Sequence, residues 1–293
     1  MARRRKFMRS LICCAAVVAI AALVGCGGRK AAVKTSDGVI LEYRMSEGKA
    51  LMYEKTETSS QSMKVMGQAM DTSTNKIMGF TVAPKGHKDG IHSLTVTIES
   101  MEAGLDTPQG SFTADADAAV GESFDMMLSA QGKETGLEGA DGIEYSLGMA
   151  GTRSIRPDFE AFFPDLPGER VKIWDTWTTQ DTINVKDSGM DVLIVSENLN
   201  VLEGYETVNG RDCAKVTTEV KGSVTGEGMQ GGANLEFDGD MTGKETWYFD
   251  YAEGLFIKSS SDISVVATVS VTGPQEMTIP VSQSMTMTAD LKE

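Results

Sequence analysis

Asp262-Ile263-Ser264-Val265-Val266-Ala267-Thr268-Val269-Ser270-Val271-Thr272 alternates apolar and polar side chains with a period close to two. Successive side chains of a strand point to opposite faces, so Ile263, Val265, Ala267, Val269 and Val271 share one face. Ser264, Thr268, Ser270 and Thr272 take the other. One apolar face and one hydroxyl-rich face describe a half-covered strand of an antiparallel sheet. The last segment repeats the pattern, with Val281, Met285, Met287, Ala289 and Leu291 against Ser282, Ser284, Thr286, Thr288 and Asp290. Upstream, Ala214, Val216, Thr218 and Val220 oppose Lys215, Thr217, Glu219 and Lys221, and Leu94, Val96 and Ile98 oppose Thr95, Thr97 and Glu99.

Turn chemistry joins these runs. Lys88-Asp89-Gly90 and Val208-Asn209-Gly210 place Asp-Gly and Asn-Gly between strands, the strongest short hairpin signal. Ala252-Glu253-Gly254 and Gly273-Pro274 mark two further turns. Phe124, Met126 and Leu128 alternate and read as a strand. Helix is scarce: Ala114–Val120 is a short candidate, and 156–163 a better one, opened by Pro157 and closed by Pro164. The expected fold is all-β and mainly antiparallel, as curved sheets or an incomplete β-barrel with one or two short helices. Phe163-Pro164-Asp165-Leu166-Pro167-Gly168 reads as a linker between two strand-rich halves, 39–165 and 166–293, which form either two similar units or one domain.

The beginning of the chain reads as an address. Arg3, Arg4, Arg5, Lys6 and Arg9 form a basic n-region, followed by an apolar run from Leu11 to Val24. That run is too short and wrongly flanked for a spanning helix and fits a signal peptide over 1–25. Leu23-Val24-Gly25-Cys26 resembles the bacterial lipobox, which implies cleavage before Cys26 and acylation of its thiol. The lipid on Cys26 would anchor the protein to a membrane, with residues 26–38 as a tether rich in Gly, Lys and Ser. Arg4-Arg5-Lys6-Phe7-Met8-Arg9 also resembles a twin-arginine signal, so both export routes stay open. Gly27 after the lipidated cysteine implies outer-membrane delivery by the enterobacterial sorting rule.

From Met63-Lys64-Val65-Met66-Gly67-Gln68 through Gly121-Glu122-Ser123-Phe124 and Gly132-Lys133, the mature chain resembles a family of bacterial envelope lipoproteins catalogued as a domain of unknown function. The most specific part is Phe163-Pro164-Asp165-Leu166-Pro167 leading to Val171-Lys172-Ile173-Trp174-Asp175-Thr176-Trp177. The family shows a Gly-Asp-x-Trp step there, and Trp174 stands where its glycine is expected. The resemblance brings no catalytic residues. The layout is also similar to the incomplete barrels of lipoprotein carriers and of mycobacterial lipid-binding lipoproteins.

Charge narrows the partners. Of 293 residues, 27 are basic and 42 acidic, and five of the basic ones sit in the leader. So acidic a mature chain is a poor ligand for nucleic acid or for anionic lipid surfaces. Cys13 and Cys14 leave with the leader and Cys26 is acylated, so Cys213 has no intrachain disulfide partner.

Several motifs suggest chemistry and lose to plainer readings. Gly226-Glu227-Gly228-Met229-Gln230-Gly231 spells the dinucleotide fingerprint, but strand residues follow it and Glu227 would repel phosphate, so a hairpin loop is expected. Asp238-Gly239-Asp240 begins like a calcium loop, yet Phe249 occupies the position of the bidentate glutamate, and a turn is expected. His87 and His92 face each other across the Asp89-Gly90 turn without a third ligand and read as solvated hairpin residues. Eighteen methionines, with Met63, Met66 and Met70 clustered, allow thioether copper sites, a pliable apolar cavity or plain core filling. The sequence holds no Gly-x-Ser-x-Gly, His-Glu-x-x-His or Cys-x-x-Cys. No cofactor, metal or catalytic residue is assigned. The expected function is non-enzymatic, namely binding of an apolar or amphiphilic ligand, or of an envelope partner, on a concave sheet face. A structural lipoprotein with a filled core is the alternative, and a histidine-centred hydrolase a third class.

Overall fold

The computed structural model describes residues 37–292 apart from 66, 149, 150, 188, 231, 274 and 275. The leader, Cys26, Met66 and most of the tether lie outside the described residues. In chain order the strands are β1 (Val39–Ile40), β2 (Leu51–Val65), β3 (Gln68–Lys88), β4 (Ile91–Thr107), β5 (Gly110–Thr113), β6 (Ser123–Ser129) and β7 (Glu134–Thr135). Then come β8 (Glu144–Ser146), β9 (Thr152–Ser154), β10 (Arg170–Val171), β11 (Thr176–Asp187), β12 (Met190–Val208), β13 (Arg211–Gln230), β14 (Ala233–Asp250), β15 (Leu255–Thr272) and β16 (Met277–Lys292).

Twelve strands form one antiparallel sheet in the order β11-β12-β13-β14-β15-β16-β2-β3-β4-β6-β7, with β5 paired to β4. It curls into a half-barrel. The Asp-Gly and Asn-Gly hairpins form as read: Asp89 and Gly90 have φ of 52° and 81°, Asn209 and Gly210 of 50° and 74°. Two successive left-handed residues make the turn whose twist matches the flanking strands. Curling is eased where glycine lies on the concave face. A Cβ at Gly222 would overlap the Val195 carbonyl oxygen, and one at Gly239 would overlap the Ala267 side chain.

The expected break near residue 165 is not a boundary. β16 pairs with β2 along twelve residues, from Val281 opposite Met63 to Lys292 opposite Met52. The proline-bounded segment itself is core. Phe159, Phe162 and Phe163 are buried against Tyr53, Phe80 and Phe256, with ring centroids 4.9 to 6.4 Å apart. This segment is a plug filling one end of the half-barrel. The helix expected over 156–163 shrinks to a 3-10 turn, Arg156–Asp158. Its carbonyls are used elsewhere: Asp158 O accepts from Lys55 Nζ at 3.3 Å, and Ala161 turns left-handed at φ 68°. The Ala114–Val120 candidate closes only one turn, through Ala119 N and Val120 N donating to Ala116 O. Phe124–Leu128 lies in strand β6, as expected.

The remaining motifs resolve by register. Gly226–Gln230 continues β13 as strand, so the expected loop is confined to the turn before Ala233. Asp238 and Asp240 lie within β14 opposite Thr268 and Val266, not in a turn, with their side chains on the outer face. Cys213 is fully buried, and burial pushes its thiol up to about 12, which makes it inert at neutral pH.

Trp174 stands at φ 75°, the left-handed region that glycine occupies without strain. A left-handed L residue costs roughly 1–2 kcal/mol, partly offset by the backbone freedom glycine would lose on folding. Trp174→Gly is therefore expected to stabilise the fold by about 0.5–1 kcal/mol in urea unfolding.

Candidate functional site

The concave face is filled at one end only. Around the plug, Trp247, Phe249, Tyr43 and Tyr53 are almost fully buried. Toward the opposite end the strands continue past the plug, and the inward-facing residues of β11 to β16 line a cavity of about 370 Å³. Register explains its wall. Ile183 pairs with Ile194 and Ile263 with Met285, and Val220 and Met241 join them, so large apolar side chains lie side by side on the same face. Met287 continues this wall next to Ser261.

Its floor is polar and belongs to the plug. Asp158 is 5% exposed and accepts from Lys76 Nζ at 2.6 Å and from Lys55 Nζ at 2.9 Å. Glu57 stands 3.3 Å from Lys76 Nζ. Burial alone would raise the Asp158 carboxyl, but the two ammonium groups outweigh it and hold the pKa at about 2. The same carboxylates raise Lys76, against the effect of its burial.

Two latches place the plug across the open side of the barrel. Lys133 Nζ, just before β7, reaches Asp165 at 3.1 Å, Asp181 of β11 at 3.3 Å and the Gln180 carbonyl at 3.0 Å. Arg156 Nε bonds Glu160 Oε1 at 2.7 Å, and Glu160 Oε2 accepts from the Asn184 backbone N–H at 2.7 Å. The side chains thus satisfy parts of an edge strand that no other strand covers.

Glu245 is half-buried on the inner face of β14, with its side chain lining the cavity. Burial pushes it up to about 7, a hydrogen bond with Ser259 pulls it down, and Asp181 adds to the rise. A folded pKa above the unfolded value means stability present below about 4.5 and lost as pH rises through about 7. Glu245→Gln is expected to be more stable than wild type at pH 8 by about 1–3 kcal/mol, discounted for the open cavity, with little gain at about pH 4. Thermal unfolding at the two pH values checks this.

The histidines are elsewhere. Their rings pair across the hairpin at 4.4 Å, but His92 is buried, not solvated, with Nε2 3.0 Å from the Tyr43 carbonyl oxygen. Neither lines the cavity. Among the described residues no group of three His, Cys, Asp or Glu side chains could hold a metal ion. The methionines divide: Met78, Met101 and Met126 fill the plug end, whereas Met241, Met285 and Met287 line the cavity. Sequence reasoning found the Met-rich apolar face. It missed Asp158, Lys55, Lys76 and Glu245, because acidic and basic residues at strand spacing look like solvated faces until the plug covers them.

The outward face is polar, with Thr58 and Ser60 on β2, Asp262 and Ser264 on β15, and Ser282 and Ser284 on β16 all exposed. A barrel that spans a bilayer carries its apolar band outside. Here the large apolar clusters are inside, and the outward apolar residues, such as Leu193, Val195 and Leu199 on β12 and Val266 on β15, stand among polar ones. No helix among the described residues is long and apolar enough to cross a membrane.

No family model matches the chain, and no curated protein matches it. Among solved structures, a protein with a YmcC-like fold from Bacteroides fragilis is similar at 10% identity, covering 86% of this chain and 97% of its own, with a TM-score of 0.24. The translocator domain of the autotransporter NalP from Neisseria meningitidis follows at 8% identity, 85% and 90% coverage and a TM-score of 0.23. An outer-membrane channel from Pseudomonas putida F1 is similar at 9% identity, covering 89% of this chain and all of its own, with a TM-score of 0.22.

Proposed function

We propose that this is an exported envelope lipoprotein, anchored through an acylated Cys26, that binds an amphiphilic ligand without chemical turnover. The observation that carries the binding role is the cavity of about 370 Å³, apolar along the walls and charged at the floor. That volume lies in the range of small-molecule sites. It equals roughly a dozen water volumes, room for one acyl chain or ring system rather than a two-chain phospholipid. Met241, Met285 and Met287 adapt to varied apolar shapes, and the Lys55–Asp158–Lys76 floor offers charges to a polar head. The lipobox and basic n-region support the envelope address, and the family resemblance supports it too.

The test is mass spectrometry of the mature chain from Gly27, exported without acylation and examined natively and after organic extraction. A stoichiometric single-chain amphiphile is the expected result. A clean apo mass with no uptake from added lipid extract would sink the reading and leave a structural lipoprotein.

A further inference from the structure

The turn Lys172–Asp175 presents an apolar side chain to solvent from a rigid, strained backbone. Trp174 is 71% exposed and Ile173 43%, and Ile40, opposite Arg170 on the strand leading into the turn, is 40% exposed. The turn is held on both sides. Trp174 N donates to the Leu202 carbonyl at 2.8 Å, and Leu202 N donates to the Asp175 carbonyl at 3.1 Å. The Asp175 carboxylate accepts from Lys172 N at 2.8 Å. A bulky residue kept at a left-handed angle, with its ring in water, gains nothing from packing. Such strain points to a use.

The position of the turn supplies the use. β10, which leads into it, pairs with β1, the first strand after the tether: Val39 lies opposite Val171 and Ile40 opposite Arg170. Arg170 Nη1 also donates to the Gly38 carbonyl at 2.9 Å. Gly38 is twelve residues from Cys26, a span of at most about 43 Å when fully extended. A lipid on Cys26 would therefore hold this corner within that span of the bilayer. Tryptophan favours the membrane–water interface, where its amphipathic ring sits at headgroup level.

We infer that Trp174, Ile173 and Ile40 form a membrane-interface contact that orients the half-barrel on the bilayer to which Cys26 tethers it. The inference rests on the lipoprotein reading of Cys26. Arg170 and Lys172 alternate with Glu169 and Asp175, so the contact is apolar rather than electrostatic. It requires neither anionic lipid nor low salt.

The experiment uses the full chain, processed and reconstituted in phosphatidylethanolamine vesicles with and without phosphatidylglycerol. The acyl mass on Cys26 is measured first. Trp177 is partly buried and Trp247 fully so, and a difference spectrum against Trp174→Gly isolates the Trp174 emission. Because that variant is expected to fold at least as well as wild type, loss of signal reports the side chain. The expected result is a blue-shifted Trp174 emission, quenched severalfold more by lipids brominated near the headgroup than by aqueous iodide. It should be unchanged by phosphatidylglycerol or salt. An acylated protein whose Trp174 stays open to iodide and untouched by bromolipid overturns this inference alone. A protein without the acyl mass overturns the anchor reading and this inference with it. Quenching that needs phosphatidylglycerol overturns the apolar contact.

Discussion

Replacing Asp158 with alanine is expected to destabilise the folded protein by about 3–5 kcal/mol, because it strands two cations that share one buried carboxylate. Asp158 is 5% exposed, and its ammonium partners Lys55 and Lys76 are 14% and 15% exposed. Glu57 remains to one of them, at 3.3 Å from Lys76, and the cavity admits water, so the lower end of that range applies. The loss extends beyond the ion pairs, since the Lys55 bond to the Asp158 carbonyl holds the 3-10 turn that starts the plug. Urea unfolding of wild type and Asp158→Ala at pH 7 measures it. A change below about 1 kcal/mol would place this carboxylate among surface ion pairs.

The same residue shapes the acid limb. Its folded pKa, about 2, lies below the usual carboxylate value of 3.8. The stability it contributes is present above about 4 and is lost as pH falls toward about 2, on the order of 2 kcal/mol. Glu245 acts in the opposite sense and loses stability as pH rises through about 7. Together they place the stability maximum at about pH 4 to 4.5, above the acid loss of Asp158 and below the onset of the Glu245 loss. The acid loss should be smaller in Asp158→Ala, and the alkaline loss smaller in Glu245→Gln.

Phe163→Ala is expected to cost about 3–5 kcal/mol, as for other large aromatic side chains removed from a packed core. The Phe163 ring meets Tyr43 at 5.5 Å, Tyr53 at 6.0 Å, Phe162 at 4.9 Å and Phe256 at 6.4 Å, all edge-to-face. Its backbone N–H bonds Glu134 Oε1 at 2.7 Å, which fixes the plug to β7. Few atoms are available to refill the space, because Tyr53 and Phe256 lie on different strands, β2 and β15, and the Tyr43 and Tyr53 rings are anchored through their hydroxyls. Tyr53 Oη donates to the Phe256 carbonyl at 2.8 Å and Tyr43 Oη to the Pro164 carbonyl at 3.0 Å. Phe163→Leu keeps most of the volume and is expected to cost less than about 1.5 kcal/mol. Thermal unfolding of the two variants reads the difference. Equal effects would mean that the plug is not tightly packed.

The strands were legible because their information is local. Period-two alternation in 263–272 and 281–291 and the Asp-Gly and Asn-Gly turns state which residues pair and which face they show, and β15, β16 and both hairpins follow that reading. The methionine-lined apolar face was legible for the same reason. The helix over 156–163 and the boundary at 165 were misread because proline and aromatic spacing describe a short helix, or a linker, equally well. Only contact with Tyr53, Phe80 and Lys55 turns that segment into a plug.

By itself, the sequence determined the all-β antiparallel class, the hairpin turns and the apolar concave face, since strand alternation and turn conformation depend on neighbours within a few residues. The proposed address at Cys26 lies outside the described residues. Only the tertiary structure decided that β16 closes onto β2, that residues 156–165 enter the barrel, that Asp158 becomes a buried charge and that Glu245 becomes a half-buried carboxyl with a raised pKa. Those outcomes depend on side chains a hundred or more residues apart in the chain, such as Lys55 and Asp158, and no local pattern encodes which of many solvated carboxylates will lose its water.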